Sequence, residues 1–173
     1  MNEFIFRKYD IRGVVETDFT KDVVENLGRA FGTYVLRGGG KDIAVSGDIR
    51  LTTPKLVDNL INGILSTGAN VTNLGILPTP VNYFSMYELC VDGAVQVTGS
   101  HNPPEFNGFK ISLNQNAFHS EKIQDLKKLI NDKDFETGQG IVTVQNILPA
   151  YLNMLKSKIS LNRSLKVVID CGN

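Results

Sequence analysis

Apolar residues recur at helical spacing at Val23, Leu27, Ala30, Phe31 and Tyr34. Thr20 is placed to cap that helix and Gly38-Gly39-Gly40 to stop it. "DIAVSGD" (42–48) then reads as a short apolar strand. A helix follows, with Thr53 as its expected cap, Pro54 at the first helical position, and a buried stripe of Leu56, Leu60, Ile61 and Ile64. "NVTNLG" (70–75) is a second strand, and Thr79-Pro80 repeats the cap-plus-proline device to open a helix reaching about Cys90. "GAVQVT" (93–98) is a third strand, and "GFKISL" (108–113) resumes extended chain. Ser120 starts a helix that turns Ile123, Leu126 and Ile130 inward. A polar stretch (132–140) leads to a last helix carrying Leu148, Tyr151, Leu152, Leu155 and Ile159, and then to "LKVVIDCGN", whose β-prone run reads as one more strand.

Strand alternating with helix is the grammar of a parallel sheet covered on both faces. The segment 108–113 follows 93–98 too closely for a crossover helix, so it should run antiparallel or lie at the sheet edge. The expected fold is α/β: a three-layer α/β/α domain on a mixed, mostly parallel four-stranded sheet with one strand antiparallel.

Composition narrows the function. The chain has 173 residues and is 42% apolar, enough for a sizeable core. Its 18 acidic and 18 basic residues cancel. That balance gives no basic field for nucleic acid or an anionic membrane. Cys90 and Cys171 lie in apolar surroundings without a CxxC, which reads as buried thiols in a reducing compartment. "MNEFIFRKYDIRG" lacks the apolar run of a signal peptide, and no segment is long enough to span a bilayer. The expectation is a cytoplasmic protein.

In open parallel sheets, ligands bind beyond the carboxyl ends of the strands. There the chain places "SGDIR" (46–50), "GILPTP" (75–80) and "TGSHNPPEFNGFK" (98–110). Ser100 is either a turn serine bonding its own backbone or a nucleophile held still by a loop that Pro103 and Pro104 stiffen. His101 is a neutral structural residue, a donor to a phosphate oxygen, or a core residue. In extended chain its side chain would point away from Ser100, so no serine–histidine pair is implied. Lys110 is a sheet-edge lysine, a cation beside a phosphoryl group, or a proton acceptor. Arg12 either pairs with Asp10 or clamps phosphate. Asp48 and Arg50 read best as a local pair bracing their loop. Pro78-Thr79-Pro80 reads as a rigid turn, and His119 as structural. There is no GxSxG elbow, P-loop, GxGxxG or metal-ligand cluster.

"FRKYDIRG", "SGDIRLTTP", "GILPTPVNYF" and "TGSHNPPEFNGFKI" together resemble the α-D-phosphohexomutase superfamily, in its phosphomannomutase/phosphoglucomutase branch. The four motifs stand in the family's order over residues 6–111, and the serine-loop motif is the most specific. "KYDIRG" and "TGSHNP" lean away from phosphoglucosamine mutases, which carry "TDGIRG" and "SASHNP" types. The resemblance implies a phosphoserine at Ser100 that exchanges its phosphoryl group with the 1- and 6-hydroxyls of a hexose through a bisphosphate intermediate. It implies Lys110 as general acid/base, His101 assisting, and Arg12 and Tyr9 near the phosphoserine and the substrate. It also implies Mg²⁺ held partly through the Ser100 phosphate, and a hexose 1,6-bisphosphate activator.

Family members have four domains, and the second supplies an Asp-rich metal loop. On that reading residues 1–135 are the phosphoserine domain, 136–163 a linker and connecting helix, and 164–173 the cut first strand of domain 2. The expected partners are a hexose phosphate and domains 2–4, and the isolated piece is expected to be inactive. The rival reading is a non-catalytic sugar-phosphate or protein-binding module that retains the fold.

Overall fold

The computed structural model describes residues 2–170. A 3₁₀ turn (Glu3–Ile5) precedes β1 (Ile11–Val14), the short helix α1 (Val15–Asp18) and α2 (Lys21–Arg37). Then come β2 (Asp42–Gly47), α3 (Thr53–Leu65), β3 (Asn70–Ile76), α4 (Thr79–Glu88) and β4 (Gly93–Val97). The chain continues through β5 (Phe106–Leu113), β6 (Asn116–Ala117), α5 (Glu121–Asp132), β7 (Val142–Val144) and α6 (Leu148–Lys158). The strands form one sheet in the order β1-β5-β4-β2-β3-β7, with β6 paired to β5. β2 pairs in parallel with β3 and β4, and β3 with β7. β5 runs against β1, β4 and β6, so it alone among the described strands is reversed.

The fold class and the single reversed strand agree with the sequence reading; the strand count does not. The sheet has seven strands rather than four. Of the two placements expected for β5 the antiparallel one holds, inside the sheet, because β1 covers its far side. β1, β6 and β7 are two to four residues long, too short to show a periodic pattern of their own.

Strand alternation sends successive side chains to opposite faces. Ile43, Val45, Val71, Val95, Val97, Phe109 and Ile111 face the larger core, formed with α2, α3 and α5. Ala44, Leu74 and Ala94 face the smaller one, under α4 and α6. On the larger side α2 and α3 meet backbone to backbone: a Cβ on Gly28 would fall onto the Leu60 carbonyl, and one on Gly63 onto the Glu25 carbonyl. On the smaller side a buried polar network ties α4 to the sheet. Asn82 Nδ2 donates to Ser46 Oγ (2.7 Å) and to the Val95 carbonyl (3.1 Å). Ser46 Oγ donates to Gln96 Oε1 (2.6 Å), and Gln96 Nε2 donates to the Leu77 carbonyl (2.9 Å).

α2 is capped as expected, with Thr20 Oγ1 accepting from Val23 N. The next two caps differ by one residue: the N-cap of α3 is Thr52 and that of α4 is Pro78, neither with a side-chain cap bond. The Thr53 hydroxyl is engaged elsewhere: it donates to Asp48 (2.6 Å) and accepts from Asn107 Nδ2 (3.0 Å). Cys90 is exposed, not buried: it follows the end of α4 at φ 53°, where the chain turns toward β4. Cys171 lies outside the described residues. The segment 136–163 contains β7, which extends the sheet beside β3, and α6, whose Tyr151 packs edge-on against Phe84 of α4 (5.4 Å between centroids). Residues 165–170 form no strand, and the end of the expected run lies outside the described residues. β-prone side chains make a strand only when a partner completes the ladder. No helix among the described residues is long and apolar enough to cross a membrane.

Candidate active site

β2 and β4 are adjacent and parallel, so their carboxyl ends open on the same rim. The loops that leave them, 48–52 and 98–105, wall a cleft of about 1030 Å³ lined by Asp48, Thr98, Ser100, His101 and Asn102 among others. Ser100 is exposed, at φ 54°. That is left-handed backbone, uncommon for a residue with a Cβ. Its N–H donates to Thr98 Oγ1 (2.9 Å), and Asn102 N donates to the Gly99 carbonyl (3.0 Å), closing a tight turn. Because Ser100 is not extended, its Oγ lies 3.3 Å from His101 Nδ1. The sequence expectation that the two side chains diverge is therefore corrected.

The floor is a carboxylate. Asp48 Oδ1 accepts from the Thr53 hydroxyl (2.6 Å) and Arg50 N (3.0 Å), and Oδ2 from the Thr98 hydroxyl (2.8 Å) and Gly99 N (3.1 Å). Partial burial pushes this carboxyl up, but those hydrogen bonds outweigh it and hold Asp48 below the usual aspartate value. Arg50 crosses from the β2 loop to the serine loop. Its Nη1 donates to the carbonyls of Pro103 (2.7 Å) and Phe106 (3.0 Å). Its Nη2 donates to those of Ser100 (3.2 Å) and Asn102 (2.6 Å). Asn107, fully buried at the start of β5, donates to the hydroxyls of Thr52 and Thr53 and so joins the two loops a second time.

Arg12 lies on β1 opposite Gly108 of β5, with its side chain 13% exposed. One guanidinium nitrogen donates to Asn102 Oδ1 (2.9 Å), and the other is held by Asp10. The ion pair expected from sequence is present, and the same group also reaches the serine loop. Lys110 is half-buried two residues further along β5, opposite Gln96. Alternation sets Lys110 on the same sheet face as Gly108 and its partner Arg12. Lys110 does not line the cleft of Ser100. Neither does Tyr9, which is exposed and stands against His119 (6.3 Å between ring centroids). The structure thus sets His101 Nδ1 against Ser100 Oγ, ties Arg12 to the same loop through Asn102, and places Lys110 and Tyr9 along the neighbouring face and N-terminal segment.

Thr98 and Asn107 were missed as site-building residues, and the sequence marks Asn102 only as the restricted residue before two prolines. Thr98 and Asn102 flank the Gly-Ser-His turn, and threonine and asparagine there are frequent backbone-bonding residues. That signal was available. The reach of Arg50 over fifty residues of chain was not.

A sequence model of the family described as "Phosphoglucomutase/phosphomannomutase, alpha/beta/alpha domain I" matches residues 3–137. The chain is 42% identical over 169 residues to the phosphomannomutase/phosphoglucomutase of Pseudomonas aeruginosa, covering 98% of this chain and 36% of that protein. It is 37% identical to the phosphoglucomutase of Neisseria meningitidis, again covering 98% of this chain and 37% of the relative. The crystal structure of a phosphoglucomutase/phosphomannomutase family protein from Burkholderia thailandensis superposes with a TM-score of 0.87 at 39% identity, over 92% of this chain and 36% of that one. The chain therefore spans little more than a third of the length of these relatives. With this reach of sequence and fold, the chain belongs to the phosphoglucomutase/phosphomannomutase family and carries its alpha/beta/alpha domain I.

Proposed function

We propose that this chain is the phosphoserine-bearing domain of a hexose-phosphate mutase, with Ser100 as the residue that gives and takes the phosphoryl group. The carrying observation is the mounting of Ser100. It is an exposed hydroxyl on a left-handed turn, braced by two loops at the rim of a cleft, with an imidazole nitrogen 3.3 Å away and a guanidinium one hydrogen bond away through Asn102. Phosphoryl transfer asks for alignment and charge neutralisation more than for covalent help.

In the forward step the bond from phosphorus to Ser100 Oγ breaks and a bond to a sugar hydroxyl oxygen forms. The sugar hydroxyl gives up its proton, a task assigned to Lys110 on the family resemblance, from its place on the neighbouring sheet face, and Oγ regains one, for which His101 Nδ1 is in reach. Arg12 contributes positive charge to the transferring group. Tyr9 contributes an exposed ring to the substrate side. The bisphosphorylated sugar then returns its other phosphoryl group to Oγ, which restores the starting enzyme.

Magnesium is not accommodated by the described residues alone. No three His, Cys, Asp or Glu side chains converge among them, and both oxygens of Asp48 are occupied by donors. A metal here would have only an oxygen of the Ser100 phosphate to hold in this chain, with its remaining ligands from other parts of the longer protein. No step above runs through it. The domain boundaries follow the same proposal: 1–135 as the phosphoserine domain, 136–163 as a connection and 164–173 as the start of a second domain, the chain alone lacking mutase activity.

The test is Ser100→Ala in the protein at its natural length, with turnover of mannose 1-phosphate and glucose 1-phosphate as the readout. Loss of both activities in a folded variant supports the assignment; unchanged turnover removes it.

A further inference from the structure

We infer that Arg50 is a positioning residue for Ser100, and not a phosphate ligand; this rests on the mutase reading above. An arginine at the mouth of a phosphate-handling cleft invites assignment as an anion clamp. Here its donors are already spent. Nη1 serves the Pro103 and Phe106 carbonyls, Nη2 those of Ser100 and Asn102, and Nε faces Asp48 Oδ2 at 3.4 Å. Four hydrogen bonds run from its two Nη groups into the serine loop. Turning an Nη donor to a phosphate would release a carbonyl of the loop that carries the nucleophile.

Four carbonyls from four residues, gathered on one rigid planar fork, define the path of the chain from 100 to 106. They hold Ser100 at φ 54°, which the backbone would otherwise leave for a more populated region. Gly99 completes the device. A Cβ at that position would fall onto the guanidinium, 2.7 Å from Nη1 and closer still to Nε and Cζ. The two positions are therefore complementary: an arginine plane at 50 requires no side chain at 99. Asp48 fixes the near end of the arm, and its Oδ2 takes both the Gly99 amide and the Thr98 hydroxyl that supports Ser100 N. Lysine cannot substitute, since one ammonium on a flexible stem cannot serve four diverging carbonyls.

The test uses the protein at its natural length with glucose 1-phosphate and catalytic glucose 1,6-bisphosphate. Arg50→Lys and Arg50→Ala should each lower kcat by about 100-fold, the scale expected when a reacting atom is misplaced by roughly 1 Å. KM should move little if, as inferred, this group holds the loop and not the substrate. Guanidinium ion added to Arg50→Ala should restore about tenfold of the loss by refilling the vacated plane. Amide exchange in residues 99–106 should quicken in both variants while the strand amides of β2 and β4 stay protected. If Arg50→Ala does not fold, Gly99→Ala repeats the test by displacing the guanidinium without removing it. A kcat within about twofold of wild type in Arg50→Lys, or a loss carried by KM alone, overturns the inference. The mutase reading fails separately: if Ser100→Ala keeps full turnover that reading falls, whereas an inactive Ser100→Ala beside normal Arg50 variants removes only the role given to Arg50.

Discussion

Replacing Asp48 by asparagine changes one atom and removes a charge, and the structure sets the cost. Four donors converge on the carboxylate: the Thr53 hydroxyl and Arg50 amide on Oδ1, the Thr98 hydroxyl and Gly99 amide on Oδ2. An asparagine has one carbonyl oxygen and can accept only one of these pairs. In either orientation its NH₂ faces a backbone N–H, of Gly99 or of Arg50, and that donor loses its partner. A stranded donor and the lost charge-assisted bonds together cost about 2 kcal/mol in this partly buried setting. For a chain of this size that lowers the unfolding midpoint by about 4–8 °C at pH 7. Thermal unfolding followed by circular dichroism reads it. The pH dependence adds a second signature. Because the folded carboxyl binds its proton less readily than the unfolded one, its contribution is complete above the ordinary aspartate range, about 3.9. It is lost as pH falls through the lower folded value. The gap between wild type and Asp48→Asn should therefore narrow on acidification. Asp134→Asn, which disrupts an exposed pair with Arg37, should leave the midpoint unchanged. An Asp48→Asn protein that melts within about 1 °C of wild type at pH 7, or a gap indifferent to acid, would refute the reasoning.

Three further outcomes are expected. Gly63→Ala should destabilise by about 3 kcal/mol, measured by urea unfolding, because the added methyl meets the Glu25 backbone and neither helix can yield locally. Gln96→Leu should cost a similar amount, about 3 kcal/mol, since it strands the Leu77 carbonyl and leaves the Ser46 O–H without its acceptor in the interior. Ser100→Gly should abolish phosphoryl uptake without lowering the midpoint, because glycine occupies φ 54° without a Cβ; a clear loss of stability in that variant would mean that the Ser100 side chain is part of the scaffold.

How far the chain could be read in advance depended on the range of each interaction. The helices were legible because their apolar stripes repeat over ten or more residues, as in Leu56, Leu60, Ile61 and Ile64. The reversal of β5 followed from the short connection after β4. β1 was not legible. "IRGV" alternates buried and half-buried positions only once it lies beside β5, and its arginine and glycine argue locally for a loop. The α3 cap slipped by one residue, with the Thr53 hydroxyl engaged by Asp48 and Asn107 instead of its own helix. The serine loop was visible as a concentration of special residues, but its inner geometry was not. Ser100 and His101 converge through a left-handed φ that no local pattern announces. The brace on that loop comes from Arg50 and Asn107.

The most direct measurement is the site of phosphoryl attachment. The protein at its natural length, treated with glucose 1,6-bisphosphate, is weighed intact and then digested and mapped by tandem mass spectrometry. One phosphoryl group on Ser100, absent from Ser100→Ala, is the expected result. A phosphoryl group on another residue, or none in an enzyme that still turns over, would contradict the proposal that this hydroxyl carries the reaction.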